Sequence, residues 1–208
     1  LGAYGASAST AITAHNTCGV RAVQALPPEM ITAQCYAVLD DMRIDAVKIG
    51  MLADVAAIEA VAAVLRRRRL LFVVLDPVMV ATSGDGLALE NTVAAMCAQL
   101  LPLADVVTPN LSELAALSGQ APALDENEML AQGQILLNKG AAAVLLKGGH
   151  WADSDEAADW LLSPDAPAQC FSRPRIHSHH THGTGCTLSS AIAALRPRHT
   201  DLAAAVAE

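Results

Sequence analysis

The sequence predicts an α/β protein whose parallel sheet is covered by helices on both faces. Short apolar segments rich in β-branched residues alternate with longer segments in which apolar residues recur every three or four positions. This alternation is typical of a parallel sheet between helices. The 208 residues are 53% hydrophobic and show no internal repeat or linker, so we expect a single domain over residues 1–208.

The first half of the chain contains four predicted strands and two predicted helices. The strands are Ser7–Thr13, Val20–Leu26, Ile44–Ile49 and Leu70–Leu75. The helices span residues 29–42 and 54–69, and the second has apolar residues at helical spacing throughout. We expect His15 in a loop after the first strand. Residues 78–86 form a second predicted loop, in which the small and glycine-bearing residues 81–86 are a candidate lid over phosphates.

The second half continues the alternation of strands and helices. Strands are predicted at Asp105–Val107 and Ala142–Leu146, and a polar hairpin at residues 153–163. Helices are predicted at Asn91–Leu100, Leu111–Leu117, Asp125–Lys139 and Leu188–Leu195. Asp125 suits a helix N-cap and Glu128 the capping-box position three residues later.

Composition excludes several classes of partner. The net charge is −8, and the basic run Arg66–Arg69 suits the end of a helix, so nucleic acid is not an expected partner. Five cysteines without a CxxC pair argue against a disulfide frame or zinc site and fit a reducing cytoplasm. No apolar run is long enough for a bilayer. Because the chain opens at Leu1 and ends within an apolar helical pattern, we expect part of the working protein to lie beyond both ends.

The segment His182–Thr187 is the first candidate site. Gly183 and Gly185 flank Thr184 immediately before a predicted helix, where backbone N–H groups and the positive end of the helix dipole favour an anion. Glycine lets the backbone approach that anion closely. Cys186 is expected in the first turn, with a thiol pKa below its free value of about 8.5. A tight loop without a ligand is the alternative for so short a motif.

Polar residues after several predicted strands form the second candidate site. Asp76, Thr108, Asn110 and Lys147 follow separate strands, and ligands of open α/β sheets bind beyond the carboxyl ends of strands. Such residues suit phosphoryl transfer, with Glu113 on the same helix face as Asn110 and able to hold Mg²⁺ through water. No Walker A motif is present. Individually, these residues also fit turn, cap and strand-end positions.

Five motifs occur in order along essentially the whole chain. They are Lys48–Leu52 (KIGML), Asp76–Met79 (DPVM) with Ala81–Gly84 (ATSG), Thr108–Glu113 (TPNLSE), Lys147–His150 (KGGH) and Thr181–Thr187 (THGTGCT). Together they resemble the hydroxymethylpyrimidine/phosphomethylpyrimidine kinase family of the ribokinase-like superfamily.

This resemblance implies a three-layer α/β/α sandwich, ATP and Mg²⁺ as cofactors, and a hydroxymethylpyrimidine acceptor that is phosphorylated twice. It also leads us to expect a homo-oligomer, a dimer. The implied site residues are Gly183, Thr184 and Gly185 in the anion hole, Cys186 as the base, Lys147, Thr108 and Asn110 for the nucleotide, Asp76 and Glu113 for Mg²⁺ and its waters, and His15, Met51 and Val78 for the pyrimidine.

Two alternatives stay open at the level of sequence. His15 stands where the family usually has glutamine, and the two side chains offer different hydrogen-bond donors, so a pyridoxal kinase of the same superfamily is the nearest alternative. A binding protein that kept the fold and lost catalysis is the second, because the glycine-rich N-terminal segment of the family is not in this sequence. The glycines around Thr184 and the lysine at position 147 argue for an active enzyme.

Overall fold

The computed structural model describes residues 1–16, 19–68, 70–79, 86–148, 155–176 and 183–208. Its strands are β1 (Ala11–Asn16), β2 (Gly19–Ala25), β3 (Val47–Ile49), β4 (Val73–Leu75), β5 (Val106–Val107), β6 (Val144–Lys147), β7 (Glu156–Ser163) and β8 (Ala166–Pro174). Its helices are α1 (Pro28–Asp41), α2 (Val55–Arg67), α3 (Gly86–Gln99), α4 (Leu111–Ser118), α5 (Glu126–Asn138), α6 (Thr184–Leu195) and α7 (Leu202–Ala207).

In the described part of the chain, six strands form the main sheet in the order β3-β4-β5-β6-β7-β8. The first four are parallel, β7 is antiparallel to β6, and β8 is antiparallel to β7. Strands β1 and β2 form a separate antiparallel pair. The predicted fold class, an α/β protein with a mostly parallel central sheet, is confirmed.

Two apolar cores, one on each face of the sheet, give the molecule its three layers. Helices α1 to α5 cover one face, where Ile58, Leu114 and Leu136 are fully buried. Helices α6 and α7 cover the other, where Ile192 packs in a cluster with Val74. Side chains alternate between the two faces along each strand, so both faces of β4 are apolar.

The helix ends follow the signals in the sequence. Asp54 accepts a hydrogen bond from Ala57 N at 2.8 Å and caps α2, while Gly119 ends α4 in the left-handed region with φ 79°. Asp125 caps α5 as predicted. The capping box predicted for this helix is wrong in one contact: Glu128 accepts from Leu124 N rather than from Asp125 N.

Several predicted boundaries differ from the structure: the first strand, predicted at Ser7–Thr13, spans Ala11–Asn16, and the strand predicted at Leu70–Leu75 begins at Val73. His15 lies within β1 and not in a loop. Helix α3 begins at Gly86, five positions before the predicted start, because the added residues include leucine and alanine, which are good helix formers. The hairpin extends through β8, an exposed edge strand whose polar residues gave no apolar alternation. Of the candidate lid, residues 81–85 lie outside the described residues.

Among the described residues, none of the helices combines the length and the apolar character needed to span a bilayer.

Candidate active site

Four neighbouring strands present polar residues on the same face of the sheet, beneath the N-terminal end of α6. Lys48 lies in β3, Asp76 and Thr108 directly follow β4 and β5, and Lys147 ends β6. Each has, two positions earlier in the chain, an apolar residue of the core under α6 and α7: Ala46, Val74, Val106 and Leu145. Because residues two apart share a face, the four polar side chains lie on the α6 side.

Asp76 is the centre of this group and is only 1% exposed. Its Oδ1 lies 3.2 Å from Lys147 Nζ, and its Oδ2 lies 3.2 Å from Lys48 Nζ. The hydroxyl of Ser189 donates to Oδ2 at 3.0 Å, and that of Thr108 donates to Oδ1 at 3.4 Å. Burial acts to raise the pKa of Asp76, but Lys147 and Lys48 outweigh it and hold the pKa below its usual value. We call Lys48, Asp76 and Lys147 the lysine–aspartate cluster.

The first turn of α6 lies over this cluster. Gly183 adopts φ 80°, a conformation that favours glycine, and α6 begins at the next residue. Gly185 approaches Lys147 so closely that an added Cβ would lie 3.1 Å from its Nζ. The first N–H groups of a helix have no intrahelical acceptor. The backbone of residues 183–186 and the Lys147 ammonium therefore lie together where the sequence predicted an anion site, and the binding of an anion there stays a prediction.

Cys186 stands in this first turn as an exposed residue whose thiol is partly covered by its neighbours. Burial and the negative charge of Asp76 raise the thiol pKa, while Lys48 acts to lower it. The prediction of a lowered thiol pKa is therefore wrong. The sequence shows the helix N-terminus next to Cys186, but it does not show the carboxylate that the fold places beside the sulfur.

The predicted pair Asn110 and Glu113 forms a complete capping box at the start of α4. Asn110 Oδ1 accepts from Glu113 N at 2.9 Å, and Glu113 Oε2 accepts from Asn110 N at 2.8 Å. The same Oε2 lies 3.8 Å from Lys147 Nζ, and Asn110 forms a β-bridge with Lys147. Burial raises the pKa of Glu113, with the Asn110 N–H and Lys147 acting against it.

The three residues predicted to contact the pyrimidine lie in different segments. Met51 follows β3, and its carbonyl oxygen accepts a 2.7 Å hydrogen bond from Thr10. Val78 follows Asp76 and donates its N–H to the Asp76 carbonyl at 2.7 Å. His15 is exposed on β1, where its Nδ1 is 2.7 Å from Thr13 Oγ1. Their roles stay predictions.

Two residues of the site were not predicted as such, Lys48 and Ser189. Lys48 appeared only as the first letter of a family motif, although a lysine within a buried strand, two positions after Ala46, indicates a paired charge. Ser189 is fully buried and four residues after Gly185, on the face of α6 that meets the sheet. A buried serine at helical spacing from the glycines is the signal that could have identified it.

The carboxylates of Asp76 and Glu113 suit a magnesium ion held through water better than one bound directly. Both carboxylate oxygens of Asp76 already contact an ammonium and a hydroxyl group. In the described ranges, no group of three or more His, Cys, Asp or Glu side chains is arranged to hold a metal ion. Glu113 has one oxygen in the capping box, which leaves the other for a water of the ion's hydration shell.

A parallel sheet with cations and a helix N-terminus at its carboxyl edge defines a phosphotransferase of the ribokinase-like class. The phosphomethylpyrimidine kinase family model matches residues 1–208. The chain belongs to the phosphomethylpyrimidine kinase family. It is 51% identical over 199 residues to hydroxymethylpyrimidine/phosphomethylpyrimidine kinase of Salmonella typhimurium LT2. This match covers 96% of this chain and 74% of that protein.

Two solved structures are similar to this chain over nearly its whole length. A pyridoxal kinase of Bacillus subtilis in an ADP complex has a TM-score of 0.89 at 32% identity, over 98% of this chain and 76% of that one. A phosphomethylpyrimidine kinase of Clostridium difficile 630 has a TM-score of 0.81 at 34% identity, over 99% and 83%. The resemblance inferred from the motifs is confirmed.

Proposed function

We propose that this protein transfers the γ-phosphoryl group of ATP to hydroxymethylpyrimidine and then to the resulting monophosphate, in thiamine biosynthesis. The observation that carries the proposal is the lysine–aspartate cluster beneath the first turn of α6, with Cys186 beside it. The relative from Salmonella typhimurium carries both substrates in its name. The Bacillus subtilis structure supports a nucleotide in the equivalent fold.

In this proposal the chain supplies positive charge for the phosphates and a proton acceptor for the alcohol. Lys147 and the N–H groups of Gly185 and Cys186 bind the phosphate oxygens, with Thr184, Thr108 and Asn110 at the edge of the same site. Mg²⁺, when bound, neutralises charge on the phosphates, and Glu113 and Asp76 would hold its waters. Cys186, in its thiolate form, takes the proton that the hydroxyl group loses when its oxygen bonds to the γ-phosphorus.

Cys186→Ala tests the proposed role of the thiol. Positioned bases typically contribute about 10²–10⁴-fold, so we expect single-turnover transfer to hydroxymethylpyrimidine to slow by that order at saturating ATP. ATP binding should stay close to that of the parent, because the backbone N–H groups remain. Cys186→Asp should recover part of the rate, and Cys170→Ala, a change at an exposed cysteine on β8, is the matched control. A rate for Cys186→Ala within a few-fold of the parent would remove the thiol from the mechanism.

A pyridoxal kinase activity is the second candidate, favoured by the TM-score of 0.89 to the Bacillus subtilis pyridoxal kinase. Turnover of the pyrimidine and of pyridoxal, measured side by side with the same ATP-consumption assay, separates the two. A higher kcat/KM for pyridoxal than for the pyrimidine would make pyridoxal the physiological acceptor.

A dimer and a cytoplasmic location stay predictions. Sedimentation equilibrium tests the first directly.

A further inference from the structure

The two lysines of the cluster lie on different sides of Asp76. Lys147 reaches Asp76 from β6, and its Nζ is 3.8 Å from Glu113 Oε2 and would lie 3.1 Å from an added Cβ on Gly185. Lys48 is on the side of β3 and interacts with the Cys186 thiol. Its side chain is 19% exposed, so it is neither on the open surface nor enclosed in the core.

The space for Lys48 is built into the segment that follows β3. An added Cβ on Gly50 would lie 2.7 Å from Lys48 Nζ, so in this arrangement the ammonium occupies space that the glycine leaves free. The next residue, Met51, is fixed through its carbonyl oxygen to Thr10 at the start of the β1–β2 pair. Lys48 therefore lies beside the thiol to which the acceptor hydroxyl would hydrogen-bond, whereas Lys147 lies beside the predicted nucleotide residues Asn110 and Gly185.

We propose that Lys48 binds the phosphate of the monophosphate acceptor and thereby serves the second phosphoryl transfer more than the first. This inference rests on the proposed function. The first acceptor is an uncharged alcohol, whereas the second is an anion that must approach the anionic γ-phosphate. Two like charges at contact distance repel strongly at the low effective dielectric of a protein site, so the second transfer needs one more cation.

The two transfers have different chemical needs, which assigns Cys186 to the first and Lys48 to the second. In both, an acceptor oxygen bonds to the γ-phosphorus, the bond to the β–γ bridging oxygen breaks, and ADP leaves with the electron pair. In the first transfer the attacking hydroxyl loses a proton. In the second, the attacking oxygen of a dianionic monophosphate carries no proton, so a base is not needed but a cation is.

Asp76 can release Lys48 without becoming an isolated buried charge. It holds the two lysines through different oxygens, and Ser189 and Thr108 also donate to it. When Lys48 turns to a phosphate, Asp76 keeps Lys147 and both hydroxyl groups as partners. The overall charge of −8 gives an anionic acceptor no help, so the attraction has to be local.

The test compares kcat/KM for the two acceptors, each supplied separately, in Lys48→Met, Lys48→Arg and Lys147→Met. We expect Lys48→Met to lower kcat/KM for the monophosphate by about tenfold or more beyond its effect on the alcohol. Lys48→Arg should restore part of that ratio. Lys147→Met should lower both values by similar factors, because ATP is the donor in both. The control Cys186→Ala should show the opposite bias, with the greater loss on the alcohol.

An equal loss with both acceptors in Lys48→Met would overturn the proposal and leave Lys48 as a structural partner of Asp76. Titration calorimetry of the two acceptors with parent and Lys48→Met gives a readout independent of turnover: the variant should weaken monophosphate binding more than alcohol binding, and equal weakening contradicts the proposal. If the parent neither binds nor phosphorylates either pyrimidine, the proposed function itself fails, which is a different result from an unchanged ratio.

Discussion

Asp76→Asn should destabilise the fold by about 3–5 kcal/mol, because it removes the shared counter-ion of two largely buried lysines. The lysine side chains are 19% and 13% exposed, so water compensates them only in part. Asparagine keeps the size of the side chain, and its single oxygen can accept from either Ser189 or Thr108, which in the parent donate to different oxygens of Asp76. The loss therefore reports mainly the missing charge rather than a cavity.

Urea unfolding at neutral pH measures this loss, with Asp45→Asn as the matched control. Asp45 pairs with Arg43 at the surface, where the side chains are 47% and 84% exposed, and such a pair contributes about 0–1 kcal/mol. The m-value should be the same in parent and variants, since the surface exposed on unfolding is unchanged. A loss below about 1 kcal/mol for Asp76→Asn would refute the argument that the lysines depend on this carboxylate.

Unfolding at acidic pH tests the direction in which the charge of Asp76 changes the stability of the fold. The pKa of Asp76 is lowered in the folded state from an unfolded value of about 3.9, so the charged carboxylate stabilises the fold above that pH. This contribution is lost as the pH falls from about 4 through the folded pKa. The difference in stability between the parent and Asp76→Asn should therefore narrow over that range. Glu113, whose pKa burial raises, contributes with the opposite sign, losing stability as the pH rises through its folded pKa.

Two further predictions concern the nucleotide side of the site. Gly185→Ala should raise the KM for ATP, because the added Cβ would lie 3.1 Å from Lys147 Nζ. The free energy of unfolding in urea should stay equal or rise by up to about 1 kcal/mol, since alanine favours a helix. An unchanged KM would show that Lys147 does not contact the nucleotide. Glu113→Gln should raise the Mg²⁺ concentration needed for half-maximal rate more than the KM for the pyrimidine, and an unchanged Mg²⁺ dependence would show that Glu113 does not serve the ion.

The layers of the fold could be predicted from the sequence because the apolar patterns and the helix-cap residues indicated the same strands and helices. The apolar run Leu70–Leu75 predicted a strand covered on both faces, and Val74 and Leu75 are fully buried in opposite cores. Asp54 and Asn110 stood at helix starts and cap them. Strand β8 was missed because its residues are mostly exposed, so its pairing with β7 rather than its own pattern defines it.

The electrostatics of the site were less predictable, because they depend on residues far apart in the chain. Asp76 meets Ser189 across 113 positions and Lys147 across 71. Local reasoning identified the sheet edge on which Asp76 and Lys147 lie, since the carboxyl ends of parallel strands meet there. It could not give the burial of the Cys186 thiol or its closeness to Asp76, and burial first, then that carboxylate, raises the pKa of Cys186.

The raised thiol pKa limits Cys186 as a proton acceptor, because only the thiolate can take a proton, and burial and Asp76 both favour the thiol at neutral pH. In a loose transition state the attacking hydroxyl becomes strongly acidic only after the bond to the leaving group is largely broken, so the demand on the base is modest. Lys48 acts to lower the thiol pKa and so increases the fraction of enzyme that carries a thiolate. The same neighbours explain why Cys186→Asp should recover only part of the rate. A second carboxylate next to Asp76 repels it, which raises the pKa of one of the two and draws Lys48 into a new pair. Full recovery of the rate in Cys186→Asp would mean that the negative charge of Asp76 does not affect the pKa of a group at position 186.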